Sequence, residues 1–272
     1  MLKINIKKYS IMKKIIIIGA GAMGSAFAVP CLENQNEVTL VGTHLEDDLI
    51  NNIKSNNNFH PALNIELPSK LKVEKFEKLQ LILEGEVDII VAGVSSVGIE
   101  WFVNQISKNY KKNTPIILLT KGLAIEDNEL ITLSDKIKKL LKEKGHGEVN
   151  ISAIKGPCLA AGLAYKMRTG TVIANPDIKE TEKLKKIIST NYYSTEVSDD
   201  LTGIELSGAI KNIYSMLIGA SEGLSNSKAP KEIQSKYYLN TSASLIHRSI
   251  SEMVEFVSFY GGRADTVYGL AG

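Results

Sequence analysis

The stretch KKIIIIGAGAMGS, at residues 13–25, decides the fold. Its four consecutive isoleucines are typical of a strand that is buried on both faces of a parallel sheet. They lead into a Gly-x-Gly-x-x-Gly pattern. In such a pattern Gly19 permits a tight turn, Gly21 lets a pyrophosphate approach the backbone, and Gly24 lets the next helix pack closely on the strand. The amides at that helix N-terminus can bind phosphate. The pattern predicts a dinucleotide-binding loop, and the alternative is a strand–turn–helix without a ligand.

The end of the second predicted strand bears on which dinucleotide is bound. This strand ends in VGTHLEDD, at residues 41–48, so that Thr43 and His44 lie at its tip and Glu46 is the first acid. We therefore expect no carboxylate that holds a ribose 2′-hydroxyl, and no arginine is present there for a 2′-phosphate. The sequence predicts NAD(P)H as cofactor, with Thr43 in contact with it. NADP(H) is slightly favoured and NAD(H) is left open.

The composition excludes several classes of protein. The 272 residues are 44% hydrophobic and 23% charged with a net charge of +2, which is ordinary for a globular protein and gives no basis for nucleic-acid binding. No apolar run reaches the ~18 residues of a membrane span, so no membrane insertion is expected. Only two cysteines occur, Cys31 and Cys158, without metal-ligand spacing. We predict a cytoplasmic protein without disulfides or a metal site.

Strand and helix patterns alternate up to about residue 198 and predict a doubly wound parallel sheet. Further strands are predicted at residues 87–94, 114–120, 149–157 and 170–175, and a polar Asn-rich loop at residues 51–64.

After Asp200, which suits a helix N-cap, the patterns are helical, at residues 201–222 and 231–260. We divide the chain into a basic extension at 1–11, with Met12 as an alternative start, a Rossmann-like dinucleotide-binding domain at 12–198, and an all-α domain at 199–272.

Two lysines are candidates for chemistry. Lys121 directly follows an apolar strand, at the carboxyl end where ligands bind in such sheets. Lys211 lies on a predicted helix. The residues that share its face of the helix, Ile204, Ser207 and Gly208, are small or apolar, so another molecule can approach this face closely. The alternative for each is a solvated surface lysine.

Four segments, in this order, resemble the NAD(P)-dependent sn-glycerol-3-phosphate dehydrogenases. They are GAGAMGSA at 19–26, LLTKGL at 118–123, KGPCLAAGLA at 155–164 and SDDLTGIELSGAIKNIYS at 198–215. The resemblance implies interconversion of dihydroxyacetone phosphate and sn-glycerol 3-phosphate by hydride transfer, in the service of glycerophospholipid synthesis. It also implies a homodimer.

The same resemblance implies roles for individual residues. Lys211 is the catalytic acid/base, and Lys121 contacts substrate and cofactor. The substrate is bordered by Gly156, Cys158 and Asn212 as well. The cofactor contacts are Gly19, Gly21, Ala22, Met23, Gly24 and Ala160, with Met23 where an aromatic residue is usual. Cys158 stands where Ser or Thr is commoner, so that its hydrogen bond is weaker.

The chain also departs from the family. Its last residues are VYGLAG, whereas the family continues with a Gly-Asp-Leu segment with a catalytic Asp and an Arg-Asn pair that grips phosphate. We therefore expect an incomplete helical domain, self-association through apolar helix faces, and weak activity of the chain alone. The alternatives are another NAD(P)-dependent reductase on the same fold, and an inactive dinucleotide-binding fragment.

Overall fold

A computed structural model describes residues 12–228 and 239–272 of the chain. Within these residues, the main sheet has eight strands in the order β12-β11-β10-β7-β6-β1-β2-β5. The strands of the structure are β1 Lys14–Ile18, β2 Glu37–Val41, β3 Phe59–His60, β4 Ile65–Glu66, β5 Lys72–Glu74, β6 Ile89–Ala92, β7 Ile116–Leu118, β8 Leu123–Glu126, β9 Glu129–Thr132, β10 Ile151–Lys155, β11 Thr169–Ala174 and β12 Tyr193–Ser198. The predicted α/β class, with a helical C-terminal region, is confirmed.

Helices pack on both faces of this sheet and, after β12, form the helical C-terminal region. They are α1 Ala22–Glu33, α2 Asp47–Ser55, α3 Leu79–Glu84, α4 Ile99–Ile106, α5 Leu133–Glu143, α6 Ala160–Ala164, α7 Ile178–Ile188, α8 Leu201–Lys228 and α9 Leu239–Phe259. Strand β1 shows why four isoleucines occur in a row. Ile15 and Ile17 enter the core on one face, and Ile16 and Ile18 enter the core on the other. None of these helices has the length and apolar character needed to cross a membrane.

The expectation of an all-parallel sheet is wrong at one pair. β11 runs antiparallel to β10 and parallel to β12, whereas the other neighbouring strands of the sheet are parallel. Between β10 and β11 the chain forms only the five-residue helix α6 and its turns. At about 1.5 Å per residue such a helix is too short to return along the length of β10, which a parallel partner would require.

The Asn-rich loop predicted at residues 51–64 is wrong in part. Residues 51–55 belong to α2, because Ile50 and Ile53 lie one turn apart and are both buried in the core. The short antiparallel pair β3 and β4 follows. Asn57 and Asn58 have φ values of 51° and 61°, a left-handed conformation that asparagine tolerates better than most residues. The asparagines thus make a tight connection rather than a long loop.

Helix α1 runs to Glu33 with Pro30 inside it, although proline removes a helical hydrogen bond. In the last part of the chain, α8 is longer than predicted, and its helical residues are described as far as Lys228. The predicted start of the second helix near residue 231 lies outside the described residues. Its end is as predicted: α9 stops at Phe259, and the amide of Gly262 donates to the carbonyl of Val257 at 2.9 Å.

Asp200 connects two segments of the helical region. Its Oδ1 accepts a hydrogen bond from the amide of Gly203 at 2.9 Å, which caps α8 as predicted. Its Oδ2 accepts from the amide of Arg263 at 2.9 Å and from Thr266 Oγ1 at 2.5 Å. The segment after α9 is thereby fixed to the start of α8.

We predict that Asp200→Ala lowers the free energy of unfolding by about 2–4 kcal/mol, because a helix cap is lost and buried donors are left unpaired. Urea unfolding measures this. Asp199→Ala is the matched control, since Asp199 is exposed and pairs with Arg263 at the surface; its effect should be much smaller, because a solvent-exposed ion pair contributes little to stability. Equal effects of the two variants would contradict the role given to Asp200.

Candidate functional site

The glycine loop joins β1 to α1 with little room for side chains. Gly19 has a φ of +109°, and a Cβ atom there would lie 2.7 Å from the carbonyl carbon of Gly93, at the end of β6. A Cβ at Gly24 would overlap the carbonyl oxygen of Gly19. Gly21 is different, because a Cβ there would meet only the Glu46 carboxylate at 3.9 Å. Gly19 and Gly24 are therefore required by the fold, whereas Gly21 leaves space for a bound molecule.

The N-terminus of α1 is suited to an anion. Gly21 is its N-cap residue, no side chain of the described residues caps it, and its first turn contains no acid. Ala22 and Met23 form this first turn and are partly exposed. Unpaired amides at a helix N-terminus carry partial positive charge and bind phosphate groups. The arrangement fits the pyrophosphate of a dinucleotide.

Three side chains hold the peptide of Ala20 within this loop. Ser25 Oγ donates to its carbonyl oxygen at 3.0 Å. His60 Nε2 also lies 3.0 Å from that oxygen, while His60 Nδ1 accepts from the amide of Leu63 at 3.3 Å. The His60 proton must then be on Nε2, which donates to the carbonyl. Because His60 is only 1% exposed, this is a buried support of the loop.

The third side chain is that of Glu46, the first acid after β2, which was not expected to contact the glycine loop. Glu46 Oε2 accepts from the amides of Ala20 at 3.0 Å and Thr43 at 2.7 Å. The helical turn that follows the strand brings the acid back over the glycine loop. His44 is exposed, and its ring lies 5.1 Å from that of Trp101, between centroids.

One small cavity collects residues from several of the predicted segments. Met23 of the glycine loop, Lys121, Gly156 and Cys158 all line it. The remaining lining residues are Phe27, Leu119, Ile154, Lys155, Thr171 and Tyr193. Burial raises the pKa of the Cys158 thiol, so that it stays protonated near neutral pH. Ala160 lies nearby, at the start of α6, which packs against α1. The ends of β7 and β10 thus meet the start of α1.

The second candidate lysine approaches this cavity from the helical region. Lys211 lies on α8 and is half-buried, whereas Lys121 is exposed. The pKa of Lys211 is lowered first by burial and then by the positive charge of Lys121. The two ammonium groups are therefore within electrostatic reach of each other. Asn212 follows on α8 with an exposed side chain.

A larger groove, of about 740 Å³, lies elsewhere on the molecule. It is lined by residues of α5 and by the segments before β10 and after β11, and it contains none of the predicted site residues. Sequence reasoning also missed Glu46, His60 and Lys155 as parts of the site. For Glu46, the available signal was its place as the first acid after the second strand, in VGTHLEDD. Nothing in the sequence marked His60 or Lys155 as a site residue, although His60 lies in the predicted loop at 51–64 and Lys155 in the predicted strand at 149–157.

Comparison with known proteins assigns the chain to a family. The family model of the NAD-dependent glycerol-3-phosphate dehydrogenase N-terminus matches residues 14–181, and the model of the C-terminus matches residues 200–272. The chain belongs to the NAD-dependent glycerol-3-phosphate dehydrogenase family. The predicted resemblance is therefore confirmed.

Individual members of this dehydrogenase family agree along nearly the whole chain. The NADP(+)-dependent glycerol-3-phosphate dehydrogenase of Archaeoglobus fulgidus is 34% identical over 260 residues, which are 95% of this chain and 73% of that protein. A glycerol-3-phosphate dehydrogenase [NAD(P)+] of Clostridium botulinum is 29% identical over 96% of this chain and 72% of its own length.

Solved structures of the family have the same fold. Glycerol-3-phosphate dehydrogenase from Coxiella burnetii superposes with a TM-score of 0.79 at 25% identity, over 96% of this chain and 73% of that one. The enzyme from Saccharomyces cerevisiae gives a TM-score of 0.76 at 21% identity, over 96% of this chain and 75% of its own, and shows the fold alone.

We predict that Lys121→Met raises the pKa of Lys211, because a neighbouring positive charge is removed. The pKa should stay below the ordinary value for lysine, since burial is the larger cause of the shift. NMR titration of ¹³C-methylated lysines measures it, with the Lys211 signal assigned through Lys211→Arg. Lys138→Met, on the surface of α5, should leave that pKa unchanged. An unchanged value in Lys121→Met would show that the two ammonium groups do not interact.

Proposed function

We propose that the chain is an NAD(P)-dependent glycerol-3-phosphate dehydrogenase that interconverts dihydroxyacetone phosphate and sn-glycerol 3-phosphate. The family membership supports the reaction class. The observation that carries the proposal is the cavity in which Lys121 meets the glycine-loop residue Met23, with Lys211 in electrostatic reach. The reaction would supply glycerol 3-phosphate for glycerophospholipid synthesis.

A nicotinamide dinucleotide, when bound, supplies the hydride that reaches C2 of the substrate. We assign to Gly21, Ala22 and Met23 the binding of its phosphates through their backbone, with Gly19 and Gly24 shaping that loop. Thr43, Lys121 and Ala160 are further proposed contacts. This assignment is supported by the uncapped N-terminus of α1 and by the open space at Gly21.

Lys211 is our proposed acid/base. As hydride reaches C2, negative charge grows on the carbonyl oxygen, and an ammonium group aimed at that oxygen stabilises the charge and donates a proton. In the reverse direction the lysine must be neutral, and its lowered pKa makes that form accessible.

Lys121, Gly156, Cys158 and Asn212 are proposed to border the substrate. The ammonium of Lys121 would attract its phosphate group. Because the Cys158 thiol stays protonated, it contributes no negative charge that opposes this attraction. A thiol is also a weak hydrogen-bond donor, so Cys158 would orient the substrate less strongly than the Ser or Thr usual at this position.

We also propose the organisation of the whole protein. Residues 12–198 would bind cofactor, and residues 199–272 would complete the substrate site and form a homodimer. Apolar side chains on α8 support the dimer, since Ile213, Met216 and Leu217 are exposed, and exposed apolar patches mark association surfaces. A cytoplasmic location is consistent with Cys31 and Cys158, which are both free.

The proposed function predicts that Lys211→Met lowers the turnover of dihydroxyacetone phosphate by about two to four decades, the scale of one general acid/base. Its affinity for NADPH should stay unchanged, because Lys211 is outside the glycine loop. NADPH absorbance follows turnover, and nucleotide fluorescence follows binding. Lys183→Met, on the exposed face of α7, is the matched lysine control.

Gly21→Val should separate cofactor binding from folding. It should fold normally, because a Cβ at Gly21 meets no backbone, yet it should lose NADPH binding. A wild-type chain that binds NADPH but does not turn over dihydroxyacetone phosphate would reject the proposed reaction. That result would leave another reductase or an inactive binding fragment.

Cofactor preference depends on Glu46 in this proposal. Its carboxylate would accept a hydrogen bond from a ribose hydroxyl and would repel a 2′-phosphate, whereas the Archaeoglobus relative is named as NADP(+)-dependent. We predict that Glu46→Gln, which keeps an acceptor for the two backbone amides, shifts the affinity ratio towards NADPH by about tenfold. Titration with NADH and NADPH measures the ratio. No change in it would place Glu46 outside the nucleotide site.

A further inference from the structure

Lys155 is a buried lysine that the proposed reaction does not use. It is the last residue of β10 and is 2% exposed, although it stands beside the cavity that holds Lys121. Burying an ammonium group is costly unless it is paired or hydrogen-bonded. The contacts that Lys155 makes therefore indicate what it is for.

The ammonium group of Lys155 contacts the segment that carries Lys121. Its Nζ donates to the carbonyl oxygen of Thr120 at 2.6 Å. Thr120 Oγ1 in turn donates to the carbonyl of Val94 at 2.7 Å. The residue before Lys121 is thus held on both its side chain and its carbonyl, and Gly122 follows with a φ of +131°. Lys121 lies between this fixed carbonyl and the turn at Gly122. The hydrogen bond from Lys155 therefore influences where Lys121 points.

The stem of Lys155 contacts the helix that carries Lys211. A Cβ atom built on Gly208 of α8 would lie 3.0 Å from both Cγ and Cδ of Lys155. A side chain at this position would crowd the stem of Lys155, so the glycine favours the close approach of α8 to β10. Gly208 lies three residues before Lys211 and therefore on the same face of the helix.

The charges around Lys155 come from the same two segments. Glu205, one turn before Gly208 on α8, attracts the ammonium, whereas Lys121 repels it. Burial is the largest effect and lowers the pKa of Lys155 to about 8, so that the ammonium form predominates at neutral pH. Glu205 is itself 1% exposed, and its Oε1 accepts from the amide of Ser134 at 3.2 Å.

We propose that Lys155 is a positioning residue, which holds the Thr120 carbonyl with its ammonium group and packs its stem under Gly208, and thereby sets where Lys121 and Lys211 lie relative to each other. The catalytic part of this inference rests on the proposed dehydrogenase function. Its structural part, the restraint of the segment around Lys121, does not.

The structural part is tested by hydrogen–deuterium exchange in Lys155→Met, which keeps the length of the stem and removes the donor. Amide exchange at residues 119–124 should accelerate at least severalfold, whereas residues 89–92 in β6 should exchange as in the wild type. Exchange of residues 119–124 at the wild-type rate would overturn the proposal. This readout needs no activity, so it stands even if the proposed function fails.

The catalytic part is tested by steady-state kinetics with NADPH and dihydroxyacetone phosphate. Lys155→Met should lower kcat by about ten- to a hundredfold, the scale of a small misplacement of catalytic groups, while the NADPH Kd stays within about twofold. A purely structural role would lower the fraction of folded protein and leave kcat per folded site unchanged. Such a result would also overturn the proposal.

A second variant guards against misfolding of the first. Lys155→Met leaves Glu205 buried without the cation that attracts it, and this could prevent folding. Lys155→Met combined with Glu205→Gln removes both charges and should fold with the same fast exchange at 119–124 and the same low kcat. Wild-type exchange and kcat in this double variant would show that Lys155 positions nothing. Lys138→Met serves as the surface control in both experiments.

Discussion

The close approach of α1 to the turn after β1 is the constraint on which the site depends. The backbone at Gly24 lies against the carbonyl of Gly19, and Gly93 at the end of β6 lies against the same carbonyl from another side. Any side chain at these points would push the helix away from the sheet. Because none is present, the N-terminus of α1 lies directly above the carboxyl ends of the strands. Its uncapped amides are then available to an anion that arrives at that edge.

Polar side chains support this loop from behind, and they do so without capping the helix. The carbonyl of Ala20 accepts from Ser25 and His60, and its amide donates to Glu46. Both backbone polar groups of Ala20, in two successive peptides, therefore have hydrogen-bond partners, which limits the orientations the loop can adopt. Glu46 also brings negative charge to a region whose helix terminus attracts anions. The same acid thus orders the loop and restricts which anions can approach it.

Positive charge is concentrated on the opposite wall of the site. Lys121, Lys155 and Lys211 come from two strand ends and one helix, and Glu205 lies among them. Burial disfavours the protonated forms of Lys155 and Lys211, and the like charge of Lys121 adds to this effect. In the proposed function, the same positive charges would attract a phosphate ester and would help to keep one lysine available for acid/base chemistry.

The sequence alone determined those parts of the protein that depend on local pattern. β1, the glycine turn and α1 follow from residues that are adjacent in the chain, and so does the capping of α8 by Asp200. The two edge strands, β5 and β12, and the reversal at β11 were not predicted from the sequence. A few residues contain no information about which neighbour they will pair with, and that pairing depends on the rest of the sheet.

The same distinction applies to the site. Lys121 and Lys211 could be predicted because each stands at a recognisable place, a strand end and a helix face. Glu46, His60 and Lys155 act on backbone groups that are 26, 40 and 35 residues away in the chain. Only the tertiary structure decided those contacts, because a hydrogen bond depends on distances in space that the spacing of residues along the chain does not determine.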